Sequence, residues 1–231
     1  MFAFSMRSSL AIKRSLKLFG PNAALMSTFV DNINPKKTAL ILIEFQNEFA
    51  TPGGKLHDAV STVMKENNML ANAAKTTTIA REKGVKIFHV GISFSEDFKE
   101  ISKTPFGILG NVKAGQCFVK DTWNSDFVDS IKPIKDDIVV LGKSGLCGFE
   151  STNLQFLLGQ HNIETVAIAG FLTNCCVEST MRAAYEKGFN VITLTDCTAA
   201  TSVPEQEAAV NFTFPMFSIP LKHQDFIAKL N

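Results

Sequence analysis

Apolar and polar positions follow a repeating rhythm from Thr38 onward: a short β-branched apolar run, a polar turn, then a stretch with helical spacing. The apolar runs are Ala39–Phe45, Val85–Gly91, Ile138–Leu141, Thr165–Gly170 and Asn190–Leu194, with a sixth near Phe214–Ile219. They are nearly all apolar and do not alternate strictly, as expected of strands covered on both faces in a parallel sheet. Helical spacing predicts helices over Val60–Lys83, Glu150–Gln160, Cys175–Lys187 and Pro204–Asn211. In the third of these, Val177, Met181, Ala184 and Tyr185 share one stripe. Gly84 and Gly188 stand just past helix ends, where a left-handed residue closes the last turn. The alternation predicts an α/β fold, a doubly wound sandwich with a central, mainly parallel six-stranded sheet. One domain, residues 36–231, accounts for it.

Two segments depart from the rhythm. Ile92–Asp137 is long, carries Pro105, Gly107, Gly110, Gly115 and Pro133, and shows one modest helical pattern near Trp123–Ile131. Connections of that length usually serve as lids or binding loops. Residues 1–30 hold Arg7, Lys13, Arg14 and Lys17 among apolar residues and five serines, with no acid before Asp31. That is the make-up of a transit peptide, so a mitochondrial or other organellar location is expected. A disordered extension, or a true start at Met26 and a cytoplasmic protein, is the alternative. Loss of residues 1–25 would take the formal charge from +1 to −3.

Charge narrows the function classes. At +1 overall, the chain has no basic footprint for nucleic acid. The longest uninterrupted apolar run, Val166–Leu172, is far too short to cross a bilayer. Five cysteines, an odd number with no C-x-x-C pair, point to free thiols and not to a disulfide framework.

Open α/β sheets bind ligands at the carboxyl ends of their strands. Three such ends carry reactive side chains: Glu44 after the first run, Lys143 after the third, and Cys176 where the fourth turns into a helix. A thiol, an ammonium and a carboxylate at one sheet edge form a nucleophile with its activators. A free thiol titrates near pH 8.5, and a helix N-terminus with a nearby ammonium lowers that value. Lys143 and the helix end are therefore expected to hold Cys176 as thiolate, with Glu44 moving the proton. Cys175 competes, but neighbouring helix residues point about 100° apart, so only one faces the site.

These segments resemble the isochorismatase-like cysteine hydrolases over Lys36–Ile219. The family's I-D-x-Q-N-D-F segment is matched by Ile43-Glu44-Phe45-Gln46-Asn47-Glu48-Phe49, with glutamate where aspartate is usual. Its K-x-x-x-S-A-F-x-x-T segment is matched from Lys143 through Cys147-Gly148-Phe149 to Thr152, and its G-x-x-T-x-x-C-V segment by Gly170, Thr173, Cys176 and Val177. The resemblance implies a three-layer αβα sandwich and a Cys176–Lys143–Glu44 triad. It also implies a cis peptide at Phe171–Leu172 that turns the Leu172 and Cys176 amides into an oxyanion hole. Members retaining the cysteine mostly hydrolyse C–N bonds, so a small-molecule amide, ureido or carbamoyl substrate is expected, with a thioester intermediate. The family also implies a homo-oligomer.

No metal or other cofactor is expected, because Ile92–Asp97 lacks the Asp-x-His pair of metal-binding nicotinamidases. His89, inside a strand, is read as core. Phe49, Trp123, Phe149 and Phe171, with Phe45, are expected to line a small apolar pocket, and Gln46 to orient Glu44 or cap its turn. Two alternatives stand beside the hydrolase: a catalytically impaired binding protein, and a thiol-redox protein using Cys175 and Cys176.

Overall fold

The computed structural model describes residues 30–231. The expected leader, apart from Val30, and the localisation that rests on it fall outside them. Six strands form one sheet: β1 (Thr38–Ile43), β2 (Lys86–Val90), β3 (Ile138–Val139), β4 (Thr165–Phe171), β5 (Asn190–Ala199) and β6 (Ile219–Leu221). Their order is β3-β2-β1-β4-β5-β6, and every pairing is parallel. The helices are α1 (Asn47–Ala50), α2 (His57–Glu66), α3 (Met69–Glu82), α4 (Gly107–Ala114), α5 (Leu154–Gln160), α6 (Glu178–Glu186), α7 (Val203–Ala208), α8 (Phe214–Phe217) and α9 (His223–Lys229).

β1 shows why the runs do not alternate. All six of its residues are buried, yet successive side chains still leave on opposite faces. Leu40 and Leu42 join a core with Val60 and Val63 of α2, Ala73 and Ala80 of α3 and Phe226 of α9. Ala39, Ile41 and Ile43 join the opposite core with Leu154 of α5, Met181 and Ala184 of α6 and Phe214 of α8. The sheet is therefore the middle of a three-layer sandwich.

Several boundaries differ from the expected ones. The helix expected over Val60–Lys83 is two helices, because Asn68 takes a left-handed φ of 49°, which asparagine tolerates. The Asn67 side chain then donates to the Thr198 carbonyl at 2.9 Å, tying the break to β5. Phe214–Phe217 is helical, with Pro215 in its first turn, and the sixth strand follows at Ile219. β3 is only two residues long, an edge strand, and Leu141, two residues beyond it, is 65% exposed. Tyr185 leaves the α6 stripe and lies edge-on to Phe217.

The chain steps from β1 to β2 and β3 on one side, then crosses to β4, β5 and β6 on the other. The switch lies between β1 and β4, where strand order reverses and a crevice opens. Ile43 pairs with Gly170 at that seam. Gly170 has φ +131°, and a Cβ there would lie 2.0 Å from the Ile43 carbonyl oxygen. Glycine is what lets the two strand ends approach.

Candidate active site

Glu44 is the first residue beyond β1, and its φ of 54° is left-handed. That conformation costs a non-glycine residue about 1–3 kcal/mol and is found where a site needs the side chain aimed off the strand. Its N–H donates to the Val90 carbonyl at 2.9 Å, and its own carbonyl accepts from the Gln46 N–H at 2.7 Å. The carboxylate is buried and accepts a hydrogen bond from Lys143 Nζ.

Lys143 reaches Glu44 from beyond β3. The chain turns at Gly142 (φ +94°), where a Cβ would meet the Ser151 carbonyl oxygen at 2.5 Å. The ammonium is fully enclosed and also donates to the Gly145 carbonyl at 2.7 Å. Burial opposes its charge, but the attraction of Glu44 prevails, and the Lys143 pKa lies above the usual 10.5.

Cys176 lies in a π-helical turn, Thr173–Val177, that runs into α6. In this wide turn the Leu172 carbonyl accepts from both the Cys175 N–H (3.0 Å) and the Val177 N–H (3.2 Å). The Phe171–Leu172 peptide is cis. Cys176 is buried and Cys175 half-buried.

The Cys176 thiol is pushed well above its usual pKa by the adjacent Cys175 thiol, then by burial and by Glu44, with only Lys143 pulling it down. That direction runs against the expectation of a thiolate held by Lys143, whose pull does not outweigh the other three.

Glu44, Leu172 and Cys176 meet on a cavity of about 240 Å³. Phe49, Leu56, Ile92, Val112, Phe118 and Leu146 wall it, and Ile108, Asn111 and Thr201 stand at its rim. Of the expected substrate-binding residues, only Phe49 lines it. Phe171 stacks behind Phe49 with ring centroids 5.1 Å apart. Gln46 is fully engaged elsewhere: its Nε2 donates to the Ile92 (2.9 Å) and Ser125 (2.7 Å) carbonyls, and its Oε1 accepts from the Ile92 N–H (2.8 Å). Trp123 is half-exposed and packs on Gly53, because its segment forms a single 3₁₀ turn, Trp123–Ser125, in place of the expected helix. Phe149 belongs to the opposite core and stacks on Phe189; its segment runs past the sheet edge into the α5 layer.

Sequence reasoning missed α4, which supplies Ile108 and Val112, because Gly107 and Gly110 interrupt its pattern. It also gave no role to Glu48. This buried carboxylate accepts from the Lys55 N–H (2.8 Å), the Phe118 N–H (2.7 Å) and the Asn124 side chain (3.0 Å). It thereby fixes the roof segment that carries Phe118. A second acid four residues after Glu44, just before Phe49, was the available signal.

Among the described residues, no three His, Cys, Asp or Glu side chains gather as a metal-holding group. His89 is buried, as expected of a core residue, and pairs with Asp137 at 3.0 Å. Burial leads the causes that lower its pKa.

The family model described as "Isochorismatase domain" matches residues 38–225. The ureidoacrylate amidohydrolase RutB of Agrobacterium fabrum is 29% identical over 177 residues, which cover 72% of this chain and 77% of the relative. RutB of Pantoea ananatis is 31% identical over 189 residues, covering 76% and 75%. A cysteine hydrolase structure from Pseudomonas syringae shares the fold, with a TM-score of 0.76 at 23% identity over 85% of this chain and 93% of that one. The match spans every strand of the sheet and the three strand ends that carry Glu44, Lys143 and Cys176, and the chain belongs to the isochorismatase family.

Proposed function

We propose that the protein is a cysteine-dependent amidohydrolase that cleaves the C–N bond of a small amide, ureido or carbamoyl compound through a thioester on Cys176. The carrying observation is the meeting of the Cys176 thiol, the Glu44 carboxylate and the Leu172 end of β4 on one cavity, with Lys143 bonded to Glu44 from behind. The amidohydrolase relatives support the reaction class.

In this reading Glu44 takes the thiol proton as sulfur attacks the carbonyl carbon. Proton transfer within the site suits a sulfur whose pKa is high, because the thiolate forms only as the new bond does. Lys143 steadies the anion, and the Leu172 N–H, with that of Cys176, receives the oxyanion. The C–N bond then breaks, and the leaving nitrogen takes its proton from Glu44. Water, deprotonated by Glu44, hydrolyses the thioester and restores the thiol. Assembly as a homo-oligomer belongs to the same proposal.

The test is ammonia or amine release from a panel of small amides, ureas and carbamates, with mass spectrometry of the quenched enzyme. An acyl adduct on Cys176 is expected, with turnover abolished in Cys176→Ala and largely kept in Cys175→Ala. Turnover that survives Cys176→Ala refutes the mechanism.

A further inference from the structure

Resting on the hydrolase reading above, we infer that this cavity selects an uncharged amide or urea with a short hydrocarbon body and rejects substrates bearing a carboxylate. The wall is hydrocarbon: Phe49, Leu56, Ile92, Val112, Phe118 and Leu146 enclose it. Among the described residues that line it there is no lysine, arginine or histidine.

The nearest cations are occupied. Lys143 Nζ is bonded to Glu44 and the Gly145 carbonyl. Lys55, next to Leu56, turns its ammonium away to the Gly115 carbonyl at 3.1 Å. At the rim the Thr201 hydroxyl is committed to Glu205. Asn111, exposed, offers an amide but no charge.

A carboxylate entering this space would lose its water, find no counter-ion and approach the anionic Glu44. Burying an unpaired ion of that kind is heavily disfavoured. Size sharpens the choice, because about 240 Å³ falls below the roughly 300–1,000 Å³ of pockets for drug-sized ligands. A reacting amide plus a few carbons fills it. The discrimination expected between isosteric neutral and anionic substrates is on the order of 10²-fold or more in kcat/KM.

The experiment compares matched pairs on the full chain: 5-methylhexanamide against 5-amino-5-oxopentanoate, and N-(3-methylbutyl)urea against 3-ureidopropanoate. Each acid replaces an isopropyl group by a carboxylate. Turnover is read on wild type, and binding by calorimetry on Cys176→Ala. Preference for the neutral member by 10²-fold or more, in turnover or in binding, supports the inference. Neutral members that bind Cys176→Ala but are never hydrolysed by wild type and never acylate it refute the hydrolase reading and leave the cavity's selectivity standing. Equal or better handling of the acids, or binding of neither member, overturns the inference.

Discussion

Lys143→Met tests the centre of the site. Methionine nearly matches the lysine stem in volume, so the change removes the ammonium and little packing. It strands the buried Glu44 carboxylate and takes a 2.7 Å donor from the Gly145 carbonyl. Breaking a buried pair from one side costs about 3–5 kcal/mol, a large part of the roughly 5–15 kcal/mol that keeps a domain folded. The double variant Lys143→Met/Glu44→Gln removes the stranded charge and should recover most of that loss. Urea denaturation at neutral pH measures both. The pH dependence adds a second constraint. The folded Lys143 pKa is raised above 10.5, so its contribution is whole below that pH and drains away as pH climbs through the folded value. The stability advantage of wild type over the double variant should therefore shrink in strong alkali. A cost below about 1 kcal/mol for Lys143→Met, or a double variant no more stable than the single one, refutes the buried ion pair.

Three other perturbations follow from the geometry. Gly170→Ala forces a Cβ onto the Ile43 carbonyl oxygen at left-handed φ and should cost about 3 kcal/mol or more; an unchanged melting temperature would contradict the seam. The Cys117 thiol is raised to about 11 by burial and then by Glu48, and Cys197 is raised well above its usual value by burial. Both should resist alkylation of the native protein at pH 8, and peptide mass mapping that finds either labelled would refute this. Glu48→Ala leaves the Lys55 and Phe118 N–H groups and the Asn124 side chain without their acceptor, at about 1–3 kcal/mol for each buried group. Limited proteolysis should then cut first between residues 115 and 124, and a cleavage pattern like that of wild type would show the roof to be held otherwise.

The sheet was readable because a strand covered on both faces must be largely apolar, and β1 and β4, past the threonine that opens each, fulfil that condition. Their carboxyl ends, and so Glu44 and Cys176, followed from the topology of parallel sheets. The cavity wall was not readable in the same way. Which phenylalanine faces the cavity is decided by how the connection between β2 and β3 folds back, through contacts such as Gln46 with Ser125. No local period encodes such contacts. Phe149 was misjudged for a related reason: closeness in sequence to Lys143 does not reveal which side of the sheet a turn will reach. The state of the thiol depended on a charge balance. Lys143 does pull the Cys176 pKa down, but the neighbouring Cys175 thiol, burial and Glu44 outweigh it.

Gln46, Asn47 and Glu48 begin two residues after Glu44, and each binds the covering segment: Gln46 at Ser125, Asn47 at the Trp123 carbonyl (2.9 Å), Glu48 at Phe118 and Asn124. Glu44 and the canopy are thus a single inheritable module. A chimaera that imports a relative's canopy to change substrate range would lose its moorings unless the tripeptide travels with it. Changes in selectivity should therefore arise as coordinated exchanges of both stretches, not as isolated edits to either.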